Sequence, residues 1–206
     1  MSTSCWWAVG ALGDEEVARI ARVALPVIKE MGERASAREA WSRWERDAAR
    51  GGGAVQVWRP DGYNTDEAHH LDDMLNASPF DALENSRELH VMRLWESFDE
   101  SVEPFLASVR KDNPVTALFH GLGPKRAGVL PGWAGDAVLT AAEVRRHLDA
   151  VESVLALPAA EREQVLDRID DWPGHKDSAD ILDQPLRVWR HAASAGLGLL
   201  SSRIWY

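Results

Sequence analysis

Apolar residues along this chain recur mostly every three or four positions, which predicts helices separated by short breaks. Ahead of the first helix stands an apolar run, Cys5-Trp6-Trp7-Ala8-Val9-Gly10-Ala11-Leu12, bounded by Gly13-Asp14. It is too short for a typical helix and is expected to form a buried strand. Asp14, Glu15 and Glu16 then open a helix with Val17, Ile20, Val23 or Ala24, Val27 and Ile28 inward. Pro26 is expected to kink or divide it, and Gly32 to end it. Ser36-Ala37-Arg38-Glu39 has capping-box spacing, so a second helix is expected to run to Arg50 with Ala40, Trp41 and Trp44 on one face.

Gly51-Gly52-Gly53 stops that helix, and Ala54-Val55-Gln56-Val57-Trp58 alternates like a second strand before the turn Pro60-Asp61-Gly62. Helical spacing returns from Asn64 to Leu75, with Ala68, Leu71 and Leu75 inward, and Ser78-Pro79 opens a short helix. Val91, Leu94, Trp95, Phe98, Val102, Phe105 or Leu106 and Val109 continue a helical stripe to Lys111, broken at Pro104. Asn113-Pro114 starts a short helix that carries Leu118 and Phe119 into a segment rich in glycine, proline and cations, ending at Asp136. Beyond it, Thr140-Ala141-Ala142-Glu143 is the clearest capping box, with Val144, Leu148, Val151 and Leu155 behind it. Further helices are expected from Ala159 to Trp172 and from Ser178 to Ala195, with Gly196 as a left-handed cap. The apolar run from Leu197 to Tyr206 is the third strand. The product is a predominantly helical α+β fold, a single domain over residues 1–206, with a small sheet of N-terminal, middle and C-terminal strands.

Composition fits that picture: 45% of the residues are hydrophobic and 27% charged, as in a globular rather than a disordered chain. The net charge of −10, from 33 acidic against 23 basic residues, argues against nucleic acid and anionic membranes; it suits a basic protein partner, or serves only to keep the protein soluble. A lone Cys5 excludes an internal disulfide framework and leaves no cysteine-based metal site; it reads as an interior residue in a reducing compartment. No cationic region precedes the first apolar run, and no apolar stretch reaches the ~20 residues that cross a bilayer, so a cytoplasmic location is expected. Ten Trp beside four Phe and two Tyr read as core anchors whose indole N–H groups need partners.

Two places carry candidate chemistry. In Asp66-Glu67-Ala68-His69-His70-Leu71-Asp72-Asp73, His69 and Asp73 stand four apart, while adjacent His69 and His70 point about 100° apart on a helix. With Ala68, Leu71 and Leu75 inward, His69 and Asp73 fall on the solvated face, so an exposed His–Asp pair is expected there and no metal. The second place is the 120–136 loop, read as a long surface connection. Its candidates for binding a ligand or partner are His120, Lys125, Arg126, Trp133 and Asp136. His120 at a helix end and Asp136 could form a proton-transfer pair, or serve as a capping histidine and a turn aspartate. Lys125 and Arg126 could grip a carboxylate or phosphate, or pair with the chain's own acids. No nucleotide fingerprint, nucleophile elbow or His-Glu-x-x-His helix occurs, so no catalytic residue or cofactor is assigned.

Three stretches together resemble the YfbM-like family of small bacterial proteins: Trp6-Trp7-Ala8-Val9 to Gly13-Asp14-Glu15-Glu16-Val17, Pro114 to Val151 with Leu139-Thr140-Ala141-Ala142-Glu143-Val144, and Leu182 to Leu200 with Ala192-Ala193-Ser194-Ala195-Gly196. Where that family carries a tyrosine-glycine-proline turn before the capping box, this chain has Pro131-Gly132-Trp133-Ala134-Gly135-Asp136. The resemblance implies a compact α+β fold and supplies no activity. The expected function is therefore a binding or interaction protein, of the immunity or antitoxin kind, with a basic partner. Its alternative is a small enzyme or ligand-binding domain that holds an anionic small molecule with the 120–136 loop. An oligomeric structural protein is the third reading, resting on exposed Trp and apolar helix faces.

Overall fold

The computed structural model describes residues 4–49, 66–75, 77–83, 91–110, 112–172 and 178–205. A mostly helical chain surrounds a four-stranded antiparallel sheet of order β2-β1-β4-β3. The opening run forms β1 (Ser4–Leu12), and it pairs on one side with β2 (Phe105–Arg110) and on the other with β4 (Gly198–Trp205). β3 (Ala137–Leu139) completes the sheet beside β4. The two ends of the described chain are therefore hydrogen-bonded side by side, as expected from their apolar composition.

Both faces of this sheet are buried at β3, β4 and the second half of β1, while the edge strand β2 buries only one. Trp7, Val9, Ala11, Ala137, Leu139 and Leu199 enter a large cluster, whereas Val138, Leu200 and Ile204 enter a smaller one, as alternation along a strand requires. The smaller cluster is covered by α1 (Asp14–Glu33), α4 (Pro79–Leu83) and α5 (Val91–Glu96). On the larger side lie α2 (Ala35–Ala48), α3 (Asp66–Leu75), α6 (Pro114–Leu122), α8 (Ala141–Leu155), α9 (Ala159–Asp170) and α10 (Ser178–Ala195). Each fully buried Phe, such as Phe80 or Phe119, contributes about 1.5–3 kcal/mol to these clusters.

Four expectations need correction. Residues 105–110 form a strand, not the end of a helical stripe; Phe105 and Val109 are buried while Leu106, Ser108 and Arg110 are exposed. Pro26 does not divide α1, which runs on through it, because Val17, Ile20, Ala24 and Ile28 are buried on both sides of it and their packing outweighs the missing N–H. α1 also runs one residue past Gly32, where an added Cβ would stand 3.1 Å from the Trp133 ring. The Ser36–Glu39 box does not form: a single residue, Arg34, links α1 to α2, and its N–H returns to the Glu30 carbonyl, leaving Ser36 within the first turn. The expected strand 54–58 lies outside the described residues.

Other local signals hold. Thr140 and Glu143 make both halves of the capping box, and Gly196 adopts φ 70° after α10. Cys5 is buried, and burial pushes its thiol up to about 12. Indole N–H groups of Trp7, Trp41, Trp44 and Trp172 donate to Ser201, Glu45, Glu67 and Asp112 respectively. Those of Trp95 and Trp205 are buried without a hydrogen-bond partner. Among the described residues, no helix is long and apolar enough to cross a membrane.

Candidate functional site

The segment between α6 and β3 is shaped by local chemistry. Asn113 caps α6, accepting the Val115 N–H at 3.0 Å, and Pro114 occupies the first turn, where its missing donor costs nothing. Gly123, at φ 73°, ends α6 and leads into the short α7 (Pro124–Ala127). Trp133 and Asp136 then exchange backbone hydrogen bonds of 2.9 and 2.8 Å across Ala134 and Gly135, whose φ values of 52° and 89° make a tight primed turn. A Cβ at Gly135 would come within 2.7 Å of Val115, so glycine is required there on two grounds.

This path leaves a cleft of about 510 Å³ between α2 and residues 124–135. Trp41, Phe119, Leu130 and Trp133 supply its apolar walls, with Glu45 and Lys125 as its charged groups. Trp41 and Trp133 have ring centroids 6.1 Å apart, and Trp41 donates its indole N–H to Glu45 at 3.1 Å. Behind them Trp44 meets Trp41 edge-on and stacks on Phe119 at 6.0 Å and 11°. The aromatic wall is thus held in place by further aromatic packing.

Of the five candidates in the 120–136 segment, Lys125 and Trp133 meet at this cleft. Arg126 forms an ion pair with Glu161, so pairing with the chain's own acids is what the structure displays. His120 and Asp136 are 3% and 0% exposed and belong to separate buried centres; the expected surface connection has both of its ends in the core.

Asp136 is bound by Arg203. Its Oδ1 accepts the Arg203 backbone N–H at 2.7 Å, and its Oδ2 accepts from Nε at 3.0 Å and Nη2 at 2.6 Å. The guanidinium also donates to the carbonyls of Leu75 and Ala77, while Ser78 Oγ donates to the Arg203 carbonyl at 2.6 Å. Complete burial pushes the Asp136 carboxyl up to about 6, against the opposing pull of Arg203.

The second centre is looser. Glu67 Oε1 lies 3.4 Å from His120 Nδ1, 3.4 Å from the Trp44 indole nitrogen and 3.2 Å from Arg168 Nη2. His120 Nδ1 and, one turn earlier on α6, Thr116 Oγ1 are buried without a hydrogen-bond partner. Burial would raise the Glu67 carboxyl, yet His120, Arg168 and Trp44 hold it below the ordinary value. Trp44 joins this centre to the cleft, its ring stacked on Phe119 and its N–H on Glu67.

Sequence reasoning passed over Glu67 and Arg203. Each had a signal: Glu67 stands four residues before Leu71 on the inward stripe of α3, and Arg203 interrupts an apolar strand. His69 and Asp73 are exposed as expected, whereas His70 turns to Asp47, with Nδ1 2.6 Å from Oδ2. Among the described residues, no three potential ligands stand together to hold a metal ion. Comparisons with protein-family models, curated proteins and solved structures find no match to this chain, leaving the site to be read from its own chemistry.

Proposed function

We propose that the protein is a ligand-binding protein that holds a flat, largely apolar molecule bearing one anionic group in the cleft between α2 and residues 124–135. The observation that carries this reading is an aromatic cleft with one cation, Lys125, that forms no ion pair among the described residues. Its neighbour Arg126 is spent on Glu161. A cavity of about 510 Å³ suits a small organic ligand. Trp41 and Trp133 offer π faces to a planar body, Lys125 an ammonium to a carboxylate, and Glu45 an acceptor for a ligand N–H or O–H. Burial of His120 and Asp136 in separate centres favours binding over their use as a catalytic pair.

Titration with naphthalene-2-carboxylate, followed by indole fluorescence, tests this. Lys125→Gln is expected to weaken binding by about fivefold, the upper size of an exposed charge contact, and Trp133→Ala by about tenfold. Arg126→Gln should leave affinity unchanged. Equal affinities in the wild type, Lys125→Gln and Trp133→Ala would sink the reading.

The net charge of −10 favours a second reading, in which the chain is the partner of a basic protein. Such an association would be steered by charge and weaken steeply with salt, unlike ligand capture in an aromatic cleft.

A further inference from the structure

Behind the cleft lies a second, smaller void of about 40 Å³ between the sheet, α6, α8 and α10. The two spaces share Phe119, Leu130 and Gly135 as walls, so one layer of side chains and a glycine backbone separates them. Trp7, Val9 and Leu155 line the inner void, and its Ser201 hydroxyl is already engaged by the Trp7 indole N–H at 2.9 Å and by the Gly135 carbonyl. A wall whose hydroxyl is saturated offers a guest hydrocarbon contact and little else. Close packing normally eliminates such space, and an apolar void beside a ligand-sized cleft is room for a ligand's own apolar end.

We infer, resting on the cleft reading above, that the ligand is an amphiphilic aryl carboxylate with a short alkyl tail. The carboxylate lies at Lys125, the ring against Trp41 and Trp133, and the tail passes Phe119 and Leu130 into the inner void. Phe119, 2% exposed and facing both spaces, sets how long a tail is accepted.

A homologous series of 4-alkylbenzoates, from methyl to hexyl, titrated by calorimetry, reads this directly. Each added methylene that enters the void is expected to tighten binding about fourfold until the space is full. Ala137→Val, which places two methyl groups into the void from β3, should remove that gain while leaving 4-methylbenzoate affinity unchanged. Phe119→Leu, the variant to rely on should Ala137→Val fold poorly, should extend the gain to longer tails. Affinity that is flat along the series, with Lys125→Gln still weakening every member, would overturn the tail and leave the cleft reading standing. A gain that Ala137→Val and Phe119→Leu both leave untouched would likewise place the tail elsewhere. Failure of every alkylbenzoate to bind would overturn both.

Discussion

Two buried ionic centres flank the 120–136 segment, and they are built to opposite standards. At Asp136–Arg203 both partners are fully buried, and the guanidinium spends its donors on one carboxylate and two carbonyls from the end of α3 and the turn after it. That centre ties β4, the turn before β3 and the α3–α4 junction into one unit. At Glu67–His120 the contacts are 3.2 to 3.4 Å, Arg168 is 43% exposed, and His120 Nδ1 has no hydrogen bond. A saturated centre fixes geometry; an under-satisfied one leaves α3 and α6 held mainly by packing. The cleft borders the looser centre through Trp44 and the tighter one through the Trp133–Asp136 turn.

The largest effect is expected at Arg203. Arg203→Met leaves a fully buried carboxylate unpaired and is expected to cost about 3–5 kcal/mol in urea unfolding. Glu67→Gln keeps the shape of its side chain and should cost about 1–2 kcal/mol, since its partners are longer and partly solvated. A larger loss for Glu67→Gln than for Arg203→Met would invert the ranking. Thr140→Ala, which removes a purely local device, should cost about 1 kcal/mol and calibrates both.

Acidity sharpens the contrast further. Asp136 has its carboxyl raised from 3.8 to about 6, so its contribution to stability is complete below 3.8 and is lost as pH rises through 6. Glu67 is shifted the other way; its contribution is present above its ordinary 4.5 and is lost only as pH falls below that. Removing Arg203 removes a pull that lowers the Asp136 carboxyl, so the deficit of Arg203→Met should shrink on acidification from pH 8 to pH 5. A series of unfolding curves across that range reads the change. The smallest effect is expected at Asp72, raised to about 6 by burial and by Asp73. Asp72→Asn should raise the melting temperature by about 2 °C near pH 8 and leave it unchanged near pH 4.

Helix ends were legible where the signal was local. Thr140 and Glu143, Asn113-Pro114 and Gly196 act within four residues of themselves, and each does in the structure what its spacing predicts. β2 was misread because Phe105 and Val109 stand four apart, a spacing that suits a helix face and a strand face equally. Only pairing with β1, Phe105 against Val9 and Val109 against Cys5, selects the strand. Lys125 and Trp133 were found from glycine, proline and charge composition, whereas the aromatic wall opposite them comes from α2, some eighty residues earlier in the chain. His120 and Asp136 drew attention together because they share a segment; each is in fact paired with a residue more than fifty positions away.

What the amino-acid sequence determined by itself is the class of fold: helical periodicity through most of the chain, apolar strands towards its two ends, and the local caps at Asn113, Thr140 and Gly196. Such features depend on neighbours within a turn or two, whose geometry the backbone fixes. Tertiary structure alone decided which strand lies beside β1, that Asp136 belongs to Arg203 and His120 to Glu67, and that Trp41 faces Trp133 across a cleft. Those choices are set by which distant groups can share a dry interior, where an unpaired charge is costly and a buried ring must find a complementary surface.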